Sequence, residues 1–312
     1  MTKKCAPQLS SFRVIFLVGP TAVGKTDLSF YLAEKLSASI LNCDSISMYK
    51  GLDIGSAKPR LHIKRIPTFL FDEWEPPFTC TAGLFRKKAL SILEQELNHR
   101  SVLAVGGSGF YIQALEKGMY PIKEIKPEIK QQVTKIHKEK GLKHLYKLLQ
   151  FLDPEYAKQI PAQDSYRIFR GVCIILSEEK PISLLRSSFK EQKLPWSYLK
   201  VGLYLPREVL LKNVLNRTGK MIKEGLLEET QTLLDKGFKD WPLMRSVGYK
   251  EAVLFLSNQL SKEELKNKIV HRTMYLAKKQ MSWFKRDKNI YWYLYEPDSK
   301  IRIYNSIKEK GV

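Results

Sequence analysis

Residues 16–29 read FLVGPTAVGKTDLS, an apolar run that enters a loop with glycine at both ends, then a lysine and a threonine. The segment Gly19-Pro20-Thr21-Ala22-Val23-Gly24-Lys25-Thr26 has the spacing glycine, four residues, glycine, lysine, serine or threonine, which is that of a phosphate loop. In such a loop the backbone N–H groups point inward, Lys25 neutralises the terminal phosphates and the Thr26 hydroxyl reaches a magnesium ion. The helix that follows lends its positive end. Val14 to Val18 is a continuous apolar run, as a strand covered on both faces requires, and Leu28, Leu32 and Leu36 recur at helical spacing from Asp27. Strand, loop and helix therefore occur in the order the motif demands. The motif binds a diphosphate without naming its owner.

Two more apolar runs end in residues of interest. Ser39 to Cys43 predicts a strand with Asp44 at its carboxyl end, and Val102 to Val105 another, followed by Gly106-Gly107-Ser108-Gly109. Open parallel sheets build their sites at that end of the strands. Asp44 there serves equally as a helix cap facing solvent or as a general base near the phosphate loop; Asp53 reads as a turn residue. From Ile122 to Gln150 the chain has eight lysines against three acids and is broken at Pro127 and Gly141, the pattern of a basic helical insertion. The insertion continues to about Pro195, and in it Arg167 and Arg170 share one face of a helix capped by Asp164 or Ser165. Strand character resumes at Val201 to Leu205, and from Pro206 onward the chain reads as helices, with Arg217 on one of them. Arginine suits a diphosphate through its planar fork, although a lone arginine is more often a surface ion-pair former. The expected fold is α/β: a P-loop NTPase-like parallel sheet core flanked by helices, formed by 1–120 and 200–312, with a mainly helical insertion domain at 121–199.

Composition narrows the partners. The 312 residues include 53 Lys and Arg against 32 Asp and Glu, a formal net charge of +21. Such an excess favours a polyanion, because each cation placed on a phosphate releases counterions, although surface solubility would produce it too. HRTMYLAKKQMSWFKRDK, residues 271–288, is the strongest nucleic-acid signal. Val270, Met274, Ala277, Met281 and Phe284 make a helical core stripe, leaving Arg272, Lys278, Lys279, Lys285 and Arg286 outside with Tyr275 and Trp283 between them. Cys5, Cys43, Cys80 and Cys173 are far apart and form neither a zinc spacing nor a disulfide framework. The basic start, Met1 to Lys4, precedes an apolar stretch too short for a signal core, which reads as the first strand of a cytoplasmic protein. No apolar run approaches the ~20 residues needed to span a bilayer.

Together, GPTAVGKT, DSISMYKGLDIGSAK, AVGGSGFY, YRIFR, RSVGYKEA and LAKKQMSWFKR resemble the tRNA dimethylallyltransferase family, also called tRNA isopentenyltransferases, in order and spacing along nearly the full chain. The resemblance implies transfer of the dimethylallyl group of dimethylallyl diphosphate to N6 of adenosine 37, beside the anticodon of certain tRNAs. It implies that Gly19 to Thr26 and magnesium hold the diphosphate leaving group, that Arg217 and Thr26 assist departure, and that Asp44 is the general base. Asp44, Ser45, Ile46 and Ser47, with Tyr166, Arg167, Ile168, Phe169 and Arg170, match the family's tRNA-contacting segments, and Ser108 matches a reaction-channel residue. The implied protein is a monomer whose insertion clasps the anticodon stem-loop, with no membrane partner. Departures from the family pattern are Thr68-Phe69 in place of a frequent His-His pair, Ser47 for glutamine, Cys80 for tyrosine, Lys279 for arginine and Ser282 for threonine. A phosphate-loop kinase using ATP, an RNA-binding protein that keeps the loop as structure, and a transferase acting on free adenine nucleotides are the rival readings.

Overall fold

The computed structural model describes residues 13–59, 66–296 and 298–311. The basic start at Met1 to Lys4 and Cys5 lie outside the described residues. In chain order the elements begin with β1 (Val14–Val18), α1 (Lys25–Leu36), β2 (Ser39–Asn42), β3 (Thr68–Phe69), α2 (Ala82–Glu96), β4 (Val102–Gly106) and α3 (Gly109–Lys117). Four helices follow: α4 (Pro127–Leu152), α5 (Pro154–Ala157), α6 (Ser165–Glu178) and α7 (Ile182–Ser187). The chain ends with β5 (Tyr198–Tyr204), α8 (Arg207–Lys223), α9 (Leu226–Asp235), α10 (Tyr249–Leu256), α11 (Lys262–Phe284), β6 (Ile290–Leu294) and α12 (Ser299–Glu309). Two compact units result, one of 1–116 with 194–312 and one of 117–193.

In the first unit the described strands form one parallel sheet in the order β3-β2-β4-β1-β5-β6. All five residues of β1 are buried. Val14, Phe16 and Val18 enter one core with Leu41, Ala104 and Phe85, while Ile15 and Leu17 enter the core on the opposite face with Leu28, Leu32 and Leu103. This alternation explains why β1 reads as an unbroken apolar run: both faces of the sheet are covered by helices. The central position of β1 puts the loop at 19–24 in the middle of the sheet's carboxyl edge.

The structure corrects three sequence expectations. The last third is not wholly helical, because Ile290–Leu294 forms the edge strand β6 beside β5. Second, β5 starts at Tyr198 rather than Val201; the buried Lys200 hid its start, and its ammonium is paired with Glu116 and Asp287. Third, the expected domain boundaries at 120 and 200 shift, since Tyr198 and Leu199 pair with Val14 and Ile15 and so belong to the core. The chain leaves the first unit after Glu116 and re-enters at Leu194, whose amide donates to the Glu116 carbonyl at 3.1 Å.

The second unit is helical throughout its regular elements. Its core gathers Val133, Leu145 and Leu149 of α4 with Ile168, Val172 and Ile175 of α6. Pro127 opens α4 at its first turn, where the missing N–H costs nothing, and Gly141 interrupts it with φ 77°. The eight lysines of the 122–150 stretch are all exposed.

Candidate functional site

The loop at 19–24 is built from residues that tolerate unusual backbone. Gly24 has φ 105°, and Ala22 adopts φ 64°, a left-handed conformation that costs a non-glycine residue about 1 kcal/mol and turns successive N–H groups toward one side. Gly24 is the N-cap of α1 and offers no side-chain acceptor, so the first amides of the helix are left to an incoming anion. Lys25 Nζ donates to the carbonyls of Gly19 and Pro20 at 2.9 and 2.7 Å, which keeps its charge at the loop. Burial pulls the Lys25 ammonium down to about 8; the Asp44 carboxylate opposes this and Arg217 adds to it. The Arg217 guanidinium is likewise lowered by burial, and likewise opposed by Asp44. Lys25, Asp44 and Arg217 are therefore close enough to feel one another's charge.

Asp44 follows β2, but β2 is not the neighbour of β1; β4 lies between them. What lets the flanking loops close over the end of β4 is the absence of side chains there. A Cβ on Gly106 would sit 2.4 Å from the Cys43 carbonyl oxygen, and one on Gly107 would sit 2.5 Å from Gln280 Nε2 and 3.5 Å from the Gly19 oxygen. Asp44 Oδ1 accepts from the amides of Ile46 and Ser47 at 2.9 and 3.4 Å, but no helix follows, so Asp44 closes a turn rather than capping a helix, with Oδ1 taken up by that turn. The Cys43 thiol beside it is pushed far up by burial and by Asp44, and so remains protonated. Ser108 Oγ accepts from the Ser45 amide at 3.2 Å and lies 3.3 Å from Ser45 Oγ, joining the loops after β2 and β4. Thr26 is exposed, and a cleft of about 1360 Å³ opens beside Thr26 and Arg217, with Phe30, Asp53, Lys220 and Lys300 also on its walls.

Some sequence-predicted residues do other work. Ser47 is buried, its hydroxyl donating to Asn42 Oδ1 at 3.4 Å, and Val23 is buried in the core. Arg272 is not on the outer face of α11: it pairs with the buried Glu251, and Thr273 rather than Met274 or Met281 joins Ala277 and Phe284 in the core. Tyr275, Lys278, Lys279 and Trp283 are exposed, with Lys279 Nζ 4.6 Å from the Tyr275 ring centroid. Thr68-Phe69 forms β3, and Asp72 and Asp53 both pair with the buried Lys58, so Asp53 is more than a turn residue. In the second unit Tyr166 and Arg167 are exposed on α6, Arg170 and Phe169 are half-buried, and Ile168 is fully buried as a packing residue.

Three residues escaped the sequence reading. Gln280 Oε1 accepts the Thr21 amide at 2.8 Å, tying α11 to the phosphate loop. Asn213 Nδ2 donates to the Ala22 carbonyl at 3.2 Å; its place one helical turn before Arg217 was a usable signal. Glu229 accepts the amides of Asp53, Ile54 and Gly55 at 2.8, 2.8 and 2.9 Å and the Tyr249 hydroxyl at 2.6 Å, which fixes one wall of the cleft. Nothing in the local sequence distinguishes Glu229 from its neighbour Glu228.

Comparison with known proteins gives concordant results. A family model described as IPP transferase matches residues 47–287, and one described as isopentenyl transferase matches residues 12–64. The chain is 41% identical over 284 residues to the tRNA dimethylallyltransferase of Bdellovibrio bacteriovorus, covering 90% of this chain and 92% of that protein. The crystal structure of tRNA delta(2)-isopentenylpyrophosphate transferase from Staphylococcus epidermidis is similar with TM-score 0.67 and 30% identity, over 95% of this chain and 97% of that one. A eukaryotic dimethylallyltransferase described as acting on tRNA shares the fold with TM-score 0.79 at 23% identity, over 96% of this chain and 78% of that one.

Proposed function

The chain belongs to the IPP transferase family, and from that premise we propose that it moves the dimethylallyl group of dimethylallyl diphosphate to N6 of adenosine 37 in tRNA, releasing diphosphate. It is a tRNA dimethylallyltransferase, a prenyl-transferring enzyme of P-loop-like fold. The observation that supports the detailed reading best is the meeting of Lys25, Arg217 and Asp44 at one end of the sheet, beside the uncapped start of α1.

The residues divide the reaction between them. Breaking the allylic C–O bond leaves negative charge on the diphosphate, and Lys25, Arg217 and the amides of the loop stand where that charge develops. The N6 lone pair is delocalised into the adenine ring and makes a weak nucleophile. As N6 bonds to the allylic carbon, Asp44 accepts its proton through the oxygen not used by the turn. Magnesium supplies charge neutralisation to the diphosphate when bound. The exposed Thr26 hydroxyl would hold it with the donor's own oxygens, and among the described residues no group of three His, Cys, Asp or Glu is placed to cage a metal. That donor set suits an ion that keeps water and phosphate ligands.

For the RNA, the exposed Tyr275, Lys278, Lys279 and Trp283 of α11 offer stacking faces and cations, and the exposed lysines of α4 offer more charge. We assign these surfaces to the anticodon stem-loop, Asp44 to Ser47, Ser108 and Tyr166 to Arg170 to its recognition, and the working state to a cytoplasmic monomer. No described helix is long and apolar enough to cross a membrane. The test is incubation with unmodified tRNA, magnesium and dimethylallyl diphosphate, then nuclease digestion and mass spectrometry. A dimethylallyl adduct on the adenosine beside the anticodon is expected; equal activity on free AMP, or phosphotransfer from ATP without any adduct, would overturn the proposal.

A further inference from the structure

Beyond β6 the chain turns back onto the phosphate loop. The ring of Tyr295 lies against Gly24, where an added Cβ would come within 2.2 Å of Tyr295 Cε1. Its hydroxyl donates to Asp27 Oδ2 at 2.8 Å. Lys300, in the first turn of α12, reaches both oxygens of the same carboxylate, at 2.9 Å from Oδ1 and 2.8 Å from Oδ2. Gly24 and Asp27 bracket Lys25 and Thr26, so both sides of the diphosphate-binding pair rest on one segment from the far end of the chain. Lys300 also lines the cleft that holds Thr26 and Arg217.

The placement of Asp27 poses an electrostatic problem. It is an anion in the first turn of the helix whose positive end must attract a diphosphate, and like charges there repel. A cation and a phenol fixed on that carboxylate cancel much of the repulsion. Burial and the bond to Asp27 push the Tyr295 phenol well above its ordinary range, so it stays a donor at any physiological pH.

We infer that Tyr295 and Lys300 are positioning residues for the diphosphate donor, holding Gly24 in its left-handed conformation and neutralising Asp27 so that the first turn of α1 admits an anion. The inference rests on the reading of this loop as the donor site. Neither residue touches the reacting atoms; both act through Gly24 and Asp27. Because the Asp27 side chain is 62% exposed, water already screens part of its charge, and the expected effects are moderate.

The test is steady-state kinetics with donor and tRNA varied separately, joined to calorimetry with inorganic diphosphate and magnesium, on the wild type, Lys300→Met, Tyr295→Phe and the double variant Asp27→Asn/Lys300→Met. Lys300→Met is expected to raise donor KM and diphosphate Kd by about three- to ten-fold, with kcat and tRNA KM unchanged within about two-fold. Tyr295→Phe keeps the ring against Gly24 and is expected to raise donor KM by about two-fold, which carries the test should Lys300→Met fold poorly. Adding Asp27→Asn should restore donor KM, since the charge to be neutralised is gone. A double variant as weak as Lys300→Met would make Lys300 a direct phosphate ligand and overturn the positioning role. Unchanged donor KM, or donor and tRNA KM rising together, would overturn it as well. Wild-type protein that binds diphosphate but transfers no prenyl group would instead sink the functional reading, while the calorimetric comparison would still judge Lys300.

Discussion

Asp44 uses Oδ1 to close a turn, which leaves Oδ2 for the proton assigned to it, and this division makes a clean experiment possible. An asparagine at 44 keeps an oxygen for the amides of Ile46 and Ser47 but cannot take a proton. Asp44→Asn is therefore expected to lower kcat by about 10²- to 10⁴-fold while tRNA binding is retained, measured by single-turnover assay and filter binding. Unchanged turnover would remove Asp44 from the mechanism. Lys25 gives a second prediction. Its ammonium, held down to about 8 in the free protein, is charged below that pH and neutral above it. Affinity for inorganic diphosphate should fall as pH rises through about 8, and Lys25→Met should be weak at every pH and lack that step, as calorimetry between pH 6.5 and 9.5 would read. Lys25, Thr26 and Asp44 were legible in the sequence because a loop motif and a strand end announce them. Gln280 and Glu229 were not, since each acts on backbone amides remote in sequence, and no local pattern records which amide a side chain will reach.

At the scale of elements, the end of β4 decides how near β2 can bring its loop to that of β1. Gly106→Ala would drive a Cβ into the Cys43 carbonyl, which is backbone and cannot swing away. The expected cost is about 1–3 kcal/mol in urea denaturation, with a fall in activity as Asp44 moves off. A separate contact holds the 53–55 segment against α9 and α10. Glu229→Ala would strand three amides and the Tyr249 hydroxyl, and is expected to cost about 2–4 kcal/mol, whereas Glu229→Gln, which still accepts, should cost less. Equal losses for the two would refute the hydrogen-bond account. The strands buried on both faces, β1 and β4 above all, were legible as apolar runs. Two elements were misread, each for its own reason. Lys200 sits inside β5 because Glu116 and Asp287 reach it, and β6, at the sheet edge, keeps most of its aromatic residues partly exposed and so shows no buried run.

For the whole molecule, the net charge of +21 and the exposed lysines of α4 set an expectation about salt. If about five phosphates of a single-stranded loop and its stem are neutralised, log KM for tRNA should rise with log salt with a slope of about 3–4, while donor KM changes little beyond ordinary screening. Kinetics between 50 and 300 mM potassium chloride would measure both, and a flat tRNA response would reject the assigned RNA surfaces. The broad division into an α/β core and a basic helical insertion was visible from charge and periodicity; the points of departure and return were not, because they are set by strand pairing between residues far apart. Those points are neighbours, joined by the bond from the Leu194 amide to the Glu116 carbonyl. For the ancestry of the molecule this matters: a core with a short turn there would have acquired the helical segment without reordering its sheet, and lineages could exchange the segment while inheriting the phosphate loop intact. Selection on the basic surface of α4 and selection on the phosphate loop would then act on separable stretches of one gene.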